Sequence, residues 1–209
     1  MCRMLEAADL ECVRGSRRLF SALTFRLGPG AMLWVLGPNG SGKTSLLRLL
    51  CGLIRPETGS VRWRGEDVRA SRERFHADLL YIGHAAAIKD DLSSRENLRY
   101  GLAQSGVCAN PDDVDGALRE LGLAEREQIP ARALSQGQRR RVALARLALA
   151  ADKLLWILDE PFTALDAQAV RIVQSRMARQ LERGGCVVFT SHQEVDLGAL
   201  AVQRLSLAA

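Results

Sequence analysis

The chain has little lysine, little histidine, few aromatic residues and no long apolar run. All but three of its 29 basic side chains are arginine, the exceptions being Lys43, Lys89 and Lys153, and there are only three histidines, His76, His84 and His192. Aromatic residues make up 5% of the chain. The net charge of +5 is therefore spread along the whole length with no aromatic-rich segment to stack on bases, and no direct nucleic-acid contact is expected. No apolar stretch approaches the roughly 18 residues that cross a bilayer. The strongest, Leu154 to Leu158, is stopped by Asp159 and Glu160, so the sequence predicts no span of its own. Cys2, Cys12, Cys51, Cys108 and Cys186 are odd in number and scattered, without a CxxC pair or zinc-ligand spacing, and read as reduced, mostly packing thiols. There is no CxxCH either, which argues against covalent haem on this chain. Met1 to Glu6 lacks the apolar core of a secretory signal, and a cytoplasmic chain is expected.

What is present is an ordinary globular balance, 47% hydrophobic and 25% charged over 209 residues, enough for one compact domain. Short β-rich runs alternate with amphipathic helical patterns, the appearance of an α/β chain with a largely parallel sheet. Ala31 to Leu36 and Leu154 to Leu158 read as buried strands, Ser60 to Arg64 as a half-exposed antiparallel one, and Cys186 to Thr190 as a strand after the Gly184-Gly185 stop. Val170, Val173, Met177 and Leu181 mark one face of a helix before that stop. From about Ala85 to Ala150 the strand signals fade, and three stretches look helical: Arg95 to Gln104, Pro111 to Gly122 and Gln136 to Ala150.

Gly37-Pro38-Asn39-Gly40-Ser41-Gly42-Lys43-Thr44 fits GxxxxGK[ST] between a strand and a helix that continues from Ser45. Glycines let successive amides turn inward, the helix start adds its positive end, and Lys43 supplies a point charge for outer phosphates. Thr44 is expected to hold Mg²⁺ through its hydroxyl. The strand ending at Asp159 and Glu160 aims two carboxylates at the same place. Asp159 suits the Mg²⁺ shell, and Glu160 suits a water attacking the γ-phosphate of ATP.

Between these lies Leu134-Ser135-Gln136-Gly137-Gln138, followed by the basic helix Arg139 to Arg146; after them come Thr163-Ala164-Leu165-Asp166 and Thr190-Ser191-His192. Over about residues 5 to 207 these motifs resemble the ATP-binding cassette ATPases. The resemblance implies a P-loop NTPase cassette core with a mixed sheet and an inserted helical subdomain, at about residues 85 to 150 of a single domain spanning 1 to 209. It also implies a head-to-tail homodimer in which Ser135, Gly137 and Gln138 meet ATP bound on the opposite subunit. Asp166 is then the aspartate linking the two sites, and His192 the histidine contacting the γ-phosphate, which with Lys43 and Glu160 completes the catalytic set.

Two positions depart from the family pattern. Arg14 stands where an aromatic residue usually stacks on adenine; a guanidinium can stack on a purine face, and a solvated arginine is an equal reading. His84 stands where a glutamine usually senses Mg²⁺ and the attacking water, and imidazole can still donate or accept there. With Cys12-Val13-Arg14, Leu19-Phe20-Ser21 and the short chain, these departures resemble the ATP-binding subunits of cytochrome c biogenesis haem-exporter systems. That implies integral membrane permease partners, a peripheral place on the cytoplasmic face of the inner membrane, and ATP hydrolysis coupled to haem export or to release of a haem-loaded chaperone, with haem handled by the partners. An exporter ATPase for another substrate, and a soluble cassette acting on nucleic acid or ribosomes, are the alternatives. The 51 positions from His84 to Ser135 leave no room for the long coiled-coil insertion of the latter. A non-hydrolytic regulatory binder is opposed by the intact Lys43, Asp159 and Glu160.

Overall fold

The computed structural model describes residues 4–192, 195–198 and 200–208; Cys2 lies outside them. The chain opens with a long hairpin, β1 (Leu5–Arg14) and β2 (Arg17–Leu27), followed by β3 (Met32–Leu36) and helix α1 (Lys43–Leu50). Then come β4 (Thr58–Trp63), β5 (Glu66–Asp67), α2 (Arg72–Asp78) and β6 (Leu79–Ile82). Four helices follow, α3 (Ser94–Gln104), α4 (Pro111–Glu120), α5 (Gln136–Leu144) and α6 (Arg146–Leu149), and the chain closes with β7 (Leu155–Leu158), α7 (Ala167–Glu182), β8 (Cys186–Thr190) and β9 (Val202–Ser206).

The antiparallel and parallel strands of the expected mixed α/β architecture separate into two sheets, ordered β2-β1-β4-β5 and β6-β7-β8-β3-β9. All pairs in the first are antiparallel and all in the second parallel. The inner strands of the parallel sheet are covered on both faces, which is why they read as unbroken apolar runs. Met32 and Trp34, Trp156 and Leu158, Val187 and Phe189 face a core shared with the helices of residues 94–149. The alternate residues, Leu33, Val35, Leu155, Ile157 and Val188, face α1 and the antiparallel sheet. A strand buried on both sides holds its tip rigidly, and the tips of β3, β7 and β8 carry the chemistry.

Helices α3, α4 and α7 begin with side-chain caps: Ser93 in a reciprocal box with Glu96, Asn110 on the amide of Asp113, and Asp166 on the amide of Ala169. The single helix expected from Gln136 to Ala150 is instead two. At Ala145 the ladder tightens, with the Ala148 amide donating to the Ala145 carbonyl at 3.1 Å. Nothing in the alanine-rich sequence marks that joint. Cys12, Cys51 and Cys186 are buried as expected, whereas Cys108 is exposed. Among the described residues no helix is long and apolar enough to cross a membrane.

Candidate functional site

Strand β3 delivers the chain into the loop 37–42, and α1 leaves it at Lys43. Gly42 caps α1 at φ +100°, a conformation that favours glycine, and a Cβ there would approach Leu19 of β2 to 3.1 Å. The helix start has neither a side-chain cap nor an acidic residue in its first turn, so its amides and positive end face the loop unopposed by any carboxylate of the helix. The Lys43 ammonium curls back on the loop, donating to the Gly37 carbonyl at 2.7 Å and the Pro38 carbonyl at 3.1 Å. With two of its three protons used, one remains for a phosphate oxygen. Burial lowers its pKa from the usual 10.5, partly offset by the fields of Glu160 and Asp159.

Strand β7 ends beside this loop. The Thr44 hydroxyl donates to Asp159 Oδ2 at 2.9 Å, and Thr190 at the tip of β8 donates to Asp159 Oδ1 at 2.8 Å. Asp159 is 1% exposed. Glu160, 6% exposed, turns into the left-handed region at φ +52°. Its amide donates to Thr190 Oγ1 at 2.8 Å, and its Oε2 accepts from the His192 amide at 3.1 Å. The Glu160 Oε1 atom is buried without a hydrogen-bond partner among the described residues; the His192 Nε2 lies 3.3 Å from it, an ion pair only when the imidazole is protonated. A carboxylate oxygen in that state has room to accept from a water or hydroxyl entering the cleft.

These groups line a cleft of about 350 Å³ that brings together Asn39, Gly40, Gly42, Lys43, Thr44, Ser45, His84, Asp159, Glu160 and His192, with Leu19 from β2. Gly37, Pro38 and Ser41 build the loop from behind; Ser41 is buried and Gly37 carries a φ of +149° against Ser41 and Leu207. Arg14 does not line the cleft. It sits exposed at the end of β1, directly opposite Arg17. His84 is exposed on the loop after β6 and borders two further clefts, of about 680 and 460 Å³.

The serine-glycine motif stands apart. Ser135 caps α5 in a reciprocal box with Gln138, at 3.2 Å to the Gln138 amide and 2.9 Å back to its own. Gly137 lies so close to the Ala164 carbonyl that a Cβ would sit 2.6 Å from it, so only glycine lets the helix start rest on that loop. Asp166 caps α7 and accepts from Arg141 of α5 at 2.7 Å. The amide of Ala169, and then Arg141, hold its carboxyl below the usual range. Ser135, Gly137, Gln138 and Asp166 thus form one surface, and none of them lines the Lys43 cleft of its own chain.

Two residues of the site had no assigned role in the sequence. Thr190 ties both carboxylate positions together from the next strand, and Arg140 grips the backbone of His84 and Glu160 from α5. A threonine at a strand end after an apolar run was the only available signal for the first; for the second there was none.

A family profile described as ABC transporter matches residues 20–163. The chain is 51% identical, over 97% of its length and 98% of the relative's, to the cytochrome c biogenesis ATP-binding export protein CcmA of Nitrosospira multiformis. It is likewise 51% identical to the protein of that name in Nitrosomonas europaea, over 98% of this chain and 95% of that one. Among solved structures, an ATP-binding subunit of an ABC transporter superposes with a TM-score of 0.79 at 25% identity, covering 90% of this chain and 79% of the other.

Proposed function

From the premise that the chain belongs to the ABC transporter family, we propose that it is the ATP-hydrolysing subunit of a membrane complex in c-type cytochrome biogenesis. In this reading the chain is a single cassette with its helices of residues 85–150 as an insertion. It works as a homodimer on integral membrane permease partners at the cytoplasmic face of the inner membrane, and drives haem export or release of a haem-loaded chaperone, with the haem itself held by the partners. Identity of 51% over nearly the whole chain to two relatives named as cytochrome c biogenesis ATP-binding export proteins supports the pathway. The observation that carries the chemistry is the bond between Thr44 and Asp159, which joins the phosphate loop to the carboxylate strand.

Thr44 and Asp159 offer two hard oxygen donors side by side, the set that suits Mg²⁺ completed by phosphate oxygens and water. Among the described residues there is no cluster of three or more metal-ligating His, Cys, Asp or Glu side chains. When bound, Mg²⁺ neutralises phosphate charge at this place. The chain's own residues do the rest. The amides of Gly40, Gly42, Lys43 and Thr44 and the Lys43 ammonium bind the triphosphate of ATP, Asn39 and Ser45 flank it, and Glu160 Oε1, which has no hydrogen-bond partner among the described residues, orients and deprotonates the attacking water. His192, fixed to Glu160 through its amide, faces the same cleft, as does His84. Arg14, exposed at the end of β1 and outside this cleft, is available to stack on the purine or to stay in solvent. The cleft remains open to water until Ser135 and Gly137 of a second copy close it, with Gln138 bracing that loop and Asp166 joining the two sites.

Glu160→Gln tests the hydrolytic assignment. Nucleotide affinity is retained and turnover falls by roughly 10² to 10⁴, the scale of a lost general base. Near-normal turnover refutes the role. For the pathway, the tagged chain is drawn from detergent extract and its companions are examined by mass spectrometry and haem absorption. Haem-handling membrane proteins are expected; a permease without them assigns the chain to another exporter.

A further inference from the structure

Arg140 is a buried cation, 5% exposed, that makes no hydrogen bond to a carboxylate among the described residues. Its Nη1 donates to the carbonyls of Gly83 at 2.8 Å and His84 at 3.3 Å, and its Nη2 to those of Asp159 at 2.7 Å and Glu160 at 2.9 Å. Burial lowers its pKa, and the fields of Asp159 and Glu160 oppose that shift. Only a planar fork reaches two pairs of carbonyls on different segments at once; an ammonium is a single point. What it grips is specific. One pair belongs to the loop that carries His84, and the other to the turn where Glu160 leaves the ordinary backbone range at φ +52°. The Glu160 peptide is then held at its amide by Thr190 and at its carbonyl by Arg140. The helix that bears Arg140 starts at Ser135, and its Gly137 rests on Ala164. One rigid element therefore ends in the serine-glycine surface and, one turn later, clamps the hydrolytic cleft of its own chain.

We infer that Arg140 is a positioning residue that locks the Gly83-His84 segment and the Asp159-Glu160 strand end to α5, so that the carboxylate of one cleft and the loop offered to the other cleft shift together. This rests on the proposed dimer, in which α5 faces the partner's nucleotide.

The test compares wild type, R140K and R140Q in the complex with the membrane partners, well below the melting temperature of each. ATP hydrolysis gives kcat, KM and the Hill coefficient, and a fluorescent ATP analogue gives the binding affinity. Expected for R140Q are affinity and KM within about threefold of wild type, a kcat lower by roughly 10²-fold, the cost of a small misplacement of reacting groups, and a Hill coefficient that drops from above 1 to near 1. R140K, which keeps one pair of carbonyls, falls between. A merely structural arginine lowers affinity and kcat together with the melting temperature, and that pattern overturns the inference. So does R140Q with wild-type kcat, or a wild type whose Hill coefficient is already 1. A wild-type complex that releases no phosphate refutes the proposed ATPase function itself, a different outcome from an active wild type with an indifferent Arg140.

Discussion

Replacing Thr190 by valine removes one hydroxyl and nothing else of shape, yet that hydroxyl serves two buried groups. It donates to Asp159 Oδ1 at 2.8 Å and accepts from the Glu160 amide at 2.8 Å, and Thr190 is fully buried. In Thr190→Val both are stranded. A buried polar group without its partner costs about 1–3 kcal/mol, more when charged, so two cost about 2–6 kcal/mol. The added methyl returns somewhat under 1 kcal/mol. The net loss is about 1–5 kcal/mol, which for a chain of this size lowers the melting temperature by roughly 2–20 °C. Thermal unfolding by circular dichroism reads that shift, and phosphate release below the transition reads the loss of a fixed Glu160. Thr190→Ser keeps both bonds and loses one methyl, so its melting temperature stays within a few degrees of wild type, about 1 kcal/mol. A valine variant that melts with wild type and hydrolyses ATP normally refutes the claim that Thr190 holds the carboxylates in register.

Burial pushes the Cys186 thiol up to about 11 from the usual 9.0, and the group donates to the Gly28 carbonyl at 3.1 Å. Because the folded value is the higher, its stabilising contribution is complete below pH 9 and is lost as pH rises toward 11, on the order of 2–3 kcal/mol. Urea titrations show a steeper alkaline loss for wild type than for Cys186→Ala; equal slopes contradict this. His84→Gln restores the side chain usual at that position and leaves ATP hydrolysis measurable. Normal nucleotide affinity without hydrolysis would instead give the histidine a catalytic or coupling role of its own.

The contiguous parts of the site were legible in the sequence because their chemistry lies along the chain. Residues 37–44 declare a phosphate loop by spacing alone, and Leu154 to Glu160 declares a buried strand with an acidic tip. Other parts lose their pattern in folding. In β1 the buried residues Leu5 and Ala7 give way to Leu10 and Cys12, a change of parity produced by the irregular pairing at Asp9, φ +49°. A count of alternating residues breaks there, and the first hairpin goes unread. Edge strand β9, with Gln203, Arg204 and Ser206 exposed, shows no apolar run to detect. Arg140 is invisible for a different reason: its four acceptors come from two segments that only the folded chain brings to α5.

If each cleft is completed by a second copy, two inactive variants that fail in different parts of the site restore hydrolysis when mixed. Lys43→Ala disables the phosphate loop, and Ser135→Arg disables the loop offered to the partner. Combined before assembly, half of the dimers carry one of each and hold one whole site, so hydrolysis returns, to at most about a quarter of the wild-type rate in an assembly built from like halves. A mixture as inactive as either variant alone contradicts the shared site.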